Sequence, residues 1–299
     1  MPIPSTLRTV VVAMVFAACS IATHAGDSFD AIYVFGDSYS DVGNISIVTR
    51  GAIPGSLYFK GRFSNGPIWV DHLAGAYGLS VTPSLAGGTD YAFGGAEVTT
   101  NVPVPGTNLS IPSIPTQVEL YLQQHGGKAD PHALYVVTGG GNDILKAPAG
   151  TLPDQLGAEI ALELAISIEL LERAGARHLL VPNLFDVGKL PDARLSGISS
   201  FATQTTLVVN QQMNFWLLLE AFSPYTHIYR LDAYGWLQGI FADSSHFGFN
   251  DVTDPCLVTA PTPSLCTKPY VNFFWDVDHP TIFGHSMLAT LAVQAIHQR

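Results

Sequence analysis

Ser38 lies in the stretch Val34-Phe35-Gly36-Asp37-Ser38, directly after an apolar run at residues 31–35 that reads as a short buried strand. A strand ending in a glycine fixes the backbone, and the turn after it lifts the serine hydroxyl off the sheet edge. That is one way for a fold to present a nucleophile. Three later blocks carry other residue types that acyl transfer uses: Asp90-Tyr91-Ala92-Phe93-Gly94-Gly95-Ala96, Gly139-Gly140-Gly141-Asn142-Asp143 and Asp276-Val277-Asp278-His279-Pro280. Each block also has a structural reading. A serine after a strand is commonly a turn or cap residue, Asn142 could satisfy its own backbone, and His279 could simply precede a helix capped by Thr281.

The elements that must hold these blocks alternate short apolar runs with longer helical stretches, the pattern of an α/β fold with a mainly parallel sheet. Strands are expected at 31–35, 133–138, 178–182 and 227–231, and a short glycine-rich segment at 91–96. Helices are expected at 67–77, 117–125, 155–174, around 201–222, and at 283–297. In the third of these, Leu156, Ile160, Leu164, Ile168 and Leu171 make one apolar stripe, Thr151 and Asp154 stand at capping-box spacing, and Gly175 closes the helix. Residues 233–270 read as irregular loop with short elements.

Composition narrows the function. With 47% hydrophobic and 12% charged residues in 299, the chain builds a large core easily. A formal charge of −11 and the lack of any basic run argue against a nucleic-acid partner, since phosphate binding needs clustered Lys and Arg. The sequence contains no P-loop, no His-Glu-x-x-His zinc motif, no dinucleotide glycine fingerprint and no Gly-x-Ser-x-Gly elbow.

The four blocks, in this order and spanning residue 31 to the C-terminus, resemble the SGNH (GDSL) hydrolases, a family of esterases, lipases and related acyl hydrolases. The resemblance implies a three-layer α/β/α, flavodoxin-like fold with a mainly parallel five-stranded sheet. It makes Ser38 the nucleophile, His279 of the Asp-x-x-His pair its base, and Asp276 the carboxylate that orients the imidazole. Asp278 is nearer in sequence but projects away from its neighbour. The same resemblance builds an oxyanion hole from the Ser38 backbone N–H, a glycine N–H and the Asn142 side chain. The family's asparagine in the second block is replaced here by Asp90; counting from it selects Gly95, with Gly94 as the alternative. Asp41, Gly43 and Asn44 read as structural. No metal or cofactor is implied. The substrate implied is a carboxylic ester of a lipid or small alcohol. The long first block and the ending Phe-Trp-Asp-x-x-His-Pro-Thr are similar to the lipase, phospholipase and acyltransferase branch. Acyl transfer or phospholipase A chemistry on the same residues is the alternative, and a non-catalytic glycan- or lipid-binding relative is a weaker one.

The N-terminus reads as an export signal. Arg8 is the only charge before Asp27, and residues 9–22 form an apolar run of 14, too short for a membrane span but suited to a signal-peptide core. Small residues in Thr23-His24-Ala25 place cleavage after Ala25, leaving a domain at 26–299 with a formal charge of −12 and no apolar run of spanning length. A lipoprotein site at Cys19 is the rival reading. Cys256 and Cys266 then remain, bracketing a Pro-rich loop, and in an oxidising compartment they favour a disulfide worth about 2–3 kcal/mol on the chain-entropy view.

Overall fold

The computed structural model describes residues 28–104, 107–220, 225–259 and 262–298. The signal-peptide segment and Cys19 lie outside the described residues.

Four runs form one parallel sheet: β1 (Ile32–Phe35), β4 (Leu134–Val137), β5 (His178–Pro182) and β6 (His227–Leu231), in the order β1-β4-β5-β6. The intervening β2 (Val102–Pro103) and β3 (Ser110–Ile111) pair as a small hairpin, as do β7 (Leu257–Val258) and β8 (Ser264–Leu265). Strand alternation splits the core. Ile32, Val34, Leu134, Val136 and Leu180 face helices α2 (Trp69–Ala76) and α9 (Ile282–His297). Phe35, Tyr135, Val137, Leu179 and Val181 face α3 (Ile114–Gln124), α5 (Pro153–Ala174) and α7 (Ser199–Glu220). A sheet covered on both sides by helices needs apolar residues on both faces, which is why β4 reads Leu-Tyr-Val-Val and is buried throughout. The three-layer α/β/α arrangement is the expected one.

Among the described residues the sheet has four strands, not five. Along the free edge of β1 the second block makes a single bridge, Val34 to Asp90, with backbone bonds from Val34 N–H to Thr89 O (3.1 Å), Tyr91 N–H to Val34 O (2.7 Å) and Phe93 N–H to Gly36 O (3.1 Å). It does not extend into a strand. The Asp90 carboxylate draws the Val42 and Ala92 N–H groups to itself, and the chain turns away at Gly95, whose φ of +82° is a glycine conformation.

Two further expectations are corrected. Thr151 and Asp154 form no capping box: α5 begins after Leu152 without a side-chain cap, and the Thr151 hydroxyl donates to Pro148 O. The stretch after β6 is not all irregular, because α8 (Ala233–Ala242) follows Asp232, whose carboxylate accepts the Gly235 N–H. Among the described residues no helix is long and apolar enough to cross a membrane.

Candidate active site

All four sheet strands run in one direction, so their C-terminal ends share an edge, where open α/β sheets place ligands. Ser38 follows β1 at that edge. Its turn is held from α3: the buried Gln117 amide accepts the Gly36 N–H (2.8 Å) and donates to Gly36 O (2.9 Å) and Pro112 O (3.1 Å). Behind it, the Asp41 carboxylate accepts the N–H groups of Gly43, Asn44 and Ile45, and the Asn44 amide donates to Asp90 O and Ala92 O. The first block is thus stitched to the second.

Asn142 sits in the short helix α4 (Gly141–Leu145), which starts at Gly140 with φ +109°. A Cβ at Gly140 would stand 2.9 Å from Ile160 Cγ2, so both conformation and packing demand glycine. One Asn142 amide hydrogen goes to Ala96 O (3.0 Å). Asp143 accepts the Val98 and Thr99 N–H groups, and Lys146 Nζ donates to Gly95 O (3.0 Å). The third block is in this way fastened to the second.

The last block folds on its own carboxylate. Asp276 Oδ1 accepts the N–H groups of Asp278 (2.8 Å) and His279 (2.7 Å), and the imidazole Nδ1 lies 2.8 Å from the same oxygen. With Nδ1 donating to Asp276, Nε2 is left to accept from the Ser38 hydroxyl, 2.7 Å away. Ser64 Oγ donates to Pro280 O, and Asn65 Oδ1 accepts the Ile282 N–H at the start of α9. The helix start is served by Asn65 rather than by Thr281, whose hydroxyl donates to Asn272 O. The rings of Phe63 (4.9 Å) and Tyr39 (5.6 Å) flank the imidazole.

Ser38, Asn142, Gly95 and His279 line one pocket of about 180 Å³ together with Tyr39, Phe185 and Leu190. Gly94 does not line it; its N–H is spent on Asp41 Oδ2 (2.7 Å). Asp278 turns its backbone carbonyl to the Tyr39 hydroxyl (2.6 Å) and makes no side-chain bond to His279. His125 and His246 lie away from the pocket.

Charge in the site follows from burial and pairing. Burial alone would push the Asp276 carboxyl up, but the His279 imidazole and several donors outweigh it and hold it below the ordinary range. For His279, burial disfavours the charged ring, yet Asp276 beside it more than compensates, and the imidazole sits above its usual value. Burial raises Asp278 to about 6, although His279 pulls the other way.

The sequence did not disclose Tyr58 or Gln117. The Tyr58 hydroxyl donates to Asp276 Oδ2 (2.8 Å) from a loop 218 residues earlier. Gln117 was visible only as a polar residue on an apolar helix face. Cys256 Sγ and Cys266 Sγ stand 1.99 Å apart, a disulfide separation, at the base of the β7–β8 hairpin. Among the described residues no cluster of three His, Cys, Asp or Glu is arranged to hold a metal.

Comparison with known proteins adds to this geometry. A phosphatidylcholine-sterol acyltransferase of Aeromonas hydrophila is 28% identical over 282 residues, 90% of this chain and 81% of that protein. A GDSL esterase/lipase of Arabidopsis thaliana is 26% identical over 317 residues, 92% of this chain and 91% of that protein. Among solved structures, a member of the lipolytic protein G-D-S-L family from Veillonella parvula aligns over 90% of this chain and 99% of its own, with a TM-score of 0.49 and 15% identity. The pattern of the GDSL-like lipase/acylhydrolase family matches residues 32–292, from the start of β1 into α9, and the chain belongs to that family of carboxylic ester hydrolases.

Proposed function

We propose that the protein is an exported serine ester hydrolase using Ser38, His279 and Asp276. The observation that carries this is the unbroken line from Asp276 through His279 to the Ser38 hydroxyl, with contacts of 2.8 and 2.7 Å, opening on a pocket that Gly95 and Asn142 share. His279 takes the Ser38 proton as Oγ attacks the ester carbonyl, and Asp276 stabilises the imidazolium. The carbonyl oxygen, now an anion, accepts from the N–H groups of Ser38 and Gly95 and from the second Asn142 amide hydrogen. Gly95 is favoured over Gly94 because the Gly94 N–H is already engaged by Asp41. His279 then protonates the leaving alkoxide, and water repeats the cycle on the acyl-enzyme to release the acid. These steps use protein groups and water alone.

A second reading is acyl transfer, in which an alcohol replaces water in the second half. Similarity to the Aeromonas acyltransferase over 90% of the chain favours keeping it. Export through residues 1–25 is supported by their apolar run, and an oxidising destination by the paired Cys256 and Cys266.

The test is Ser38→Ala. Hydrolysis of a short-chain nitrophenyl ester is expected to fall at least about a thousandfold with the circular dichroism spectrum unchanged. Turnover close to wild type would overturn the assignment.

A further inference from the structure

Two cavities meet at His279. The smaller is the pocket of about 180 Å³ beyond Ser38, toward Phe185 and Leu190. The larger, about 640 Å³, is an apolar groove on the Asp276 side of the imidazole, walled by Ile53, Pro54, Leu195, Leu257 and Val258. Phe63, Asp278 and His279 line both, so the two cavities adjoin at the imidazole. The outer wall of the groove includes the β7 strand that follows Cys256, next to the Cys256–Cys266 bridge.

We infer that the groove receives the alcohol portion of the ester, and that the enzyme is selective for esters pairing a short acyl group with a bulky, apolar, uncharged alcohol. This deepens the proposed function and rests on it. The direction follows from the chemistry. The atom that His279 protonates is the leaving oxygen, so the limb of the substrate attached to that oxygen must depart past the imidazole. The acyl limb must then lie beyond Ser38, in the smaller pocket. Burying apolar alcohol surface in the groove is favourable in proportion to the area covered. Charge fits as well. The groove lining contains no Lys or Arg, and Asp276 and Asp278 stand at its throat, so an alcohol carrying a phosphate or carboxylate near the ester would meet like charge. By microscopic reversibility an acceptor alcohol in a transfer reaction would enter by the same groove, its proton passing to His279 as its oxygen displaces Ser38 Oγ.

The test compares isomeric esters of equal apolarity and nearly equal leaving-group basicity. Decyl butanoate carries its chain on the alcohol, and ethyl dodecanoate carries it on the acid. With both dispersed in the same detergent and acid release followed by titration, kcat/KM for decyl butanoate is expected to exceed that for ethyl dodecanoate by about tenfold. Leu195 is 68% exposed, so Leu195→Glu changes the groove wall without touching the core. It is expected to lower that ratio at least about threefold, as is Val258→Glu. A butanoate whose long alcohol bears a carboxylate is expected to turn over more slowly than decyl butanoate. A ratio at or below one, or a ratio unmoved in both variants, would overturn the inference while leaving ester hydrolysis intact. Hydrolysis of both esters that persists in Ser38→Ala would instead overturn the proposed function, and the inference with it.

Discussion

Tyr58 shows how much of the site is set by one side chain far away in sequence. Its hydroxyl donates to Asp276 Oδ2, the oxygen that the His279 backbone does not use. This bond disperses negative charge on the carboxylate, which weakens its pull on the imidazole. Tyr58→Phe removes it without changing the ring. The expected result is a several-fold fall in kcat/KM and an upward move of its acid limb, because a less engaged Asp276 holds the proton on His279 more firmly. A pH–rate profile measures both, and an unmoved acid limb would show that Tyr58 only packs. At this scale the sequence was informative where partners are close along the chain. Asp276 and His279 are three apart and fold into one turn, so the family resemblance could select both from a single block. Tyr58 and Gln117 act across 218 and 81 residues, and no local pattern marks such a bond.

At the scale of elements, the turn that carries Ser38 depends on α3. Gln117 satisfies both backbone groups of Gly36 from a fully buried position. Gln117→Leu would strand the Gly36 N–H in the core, and the cost of an unmet buried donor is about 1–3 kcal/mol. Denaturant unfolding should register that loss together with reduced kcat. Stability within about 0.5 kcal/mol of wild type would mean the turn is held otherwise. The elements that were readable share a strong local pattern. The strand 178–182 and the end of α5 at Gly175 appear where composition put them, since continuous apolar runs and a left-handed glycine leave few alternatives. The helix α8 was not seen because Gly235, Gly239 and scattered aromatics blur its stripe. The second block makes one bridge to β1 and then turns away at Gly95, so it does not extend into a fifth strand.

For the whole molecule, acid acts in two ways. Asp276 raises the folded-state value of His279, and in the proposed role of base the ring works only when neutral. Activity is therefore expected to fall as pH drops through a point above the ordinary histidine value of 6.5. His285, buried between α2 and the loop at Tyr39, makes a separate contribution to stability. There the imidazole accepts the Trp69 N–H, and burial pushes its pKa down to about 3. The unfolded chain protonates this residue below about 6.5 while the folded one does not, so the contribution is complete at neutral pH and drains away toward pH 3. At pH 4.5 about 3 kcal/mol of it is lost. Over this range the unfolding free energy of the wild type should fall relative to that of His285→Gln, which lacks the titrating ring. A difference between the two that does not change with pH would mean that His285 titrates alike in the folded and unfolded chain.

The central claim is that Ser38 carries the acyl group. Mixing the protein with a nitrophenyl ester, quenching in acid within the first turnover and mapping the digest by mass spectrometry tests it directly. The account predicts the mass of the acyl group on the peptide containing Ser38, and on no peptide of Ser38→Ala. Acylation at any other residue, or turnover with Ser38 never modified, would contradict it.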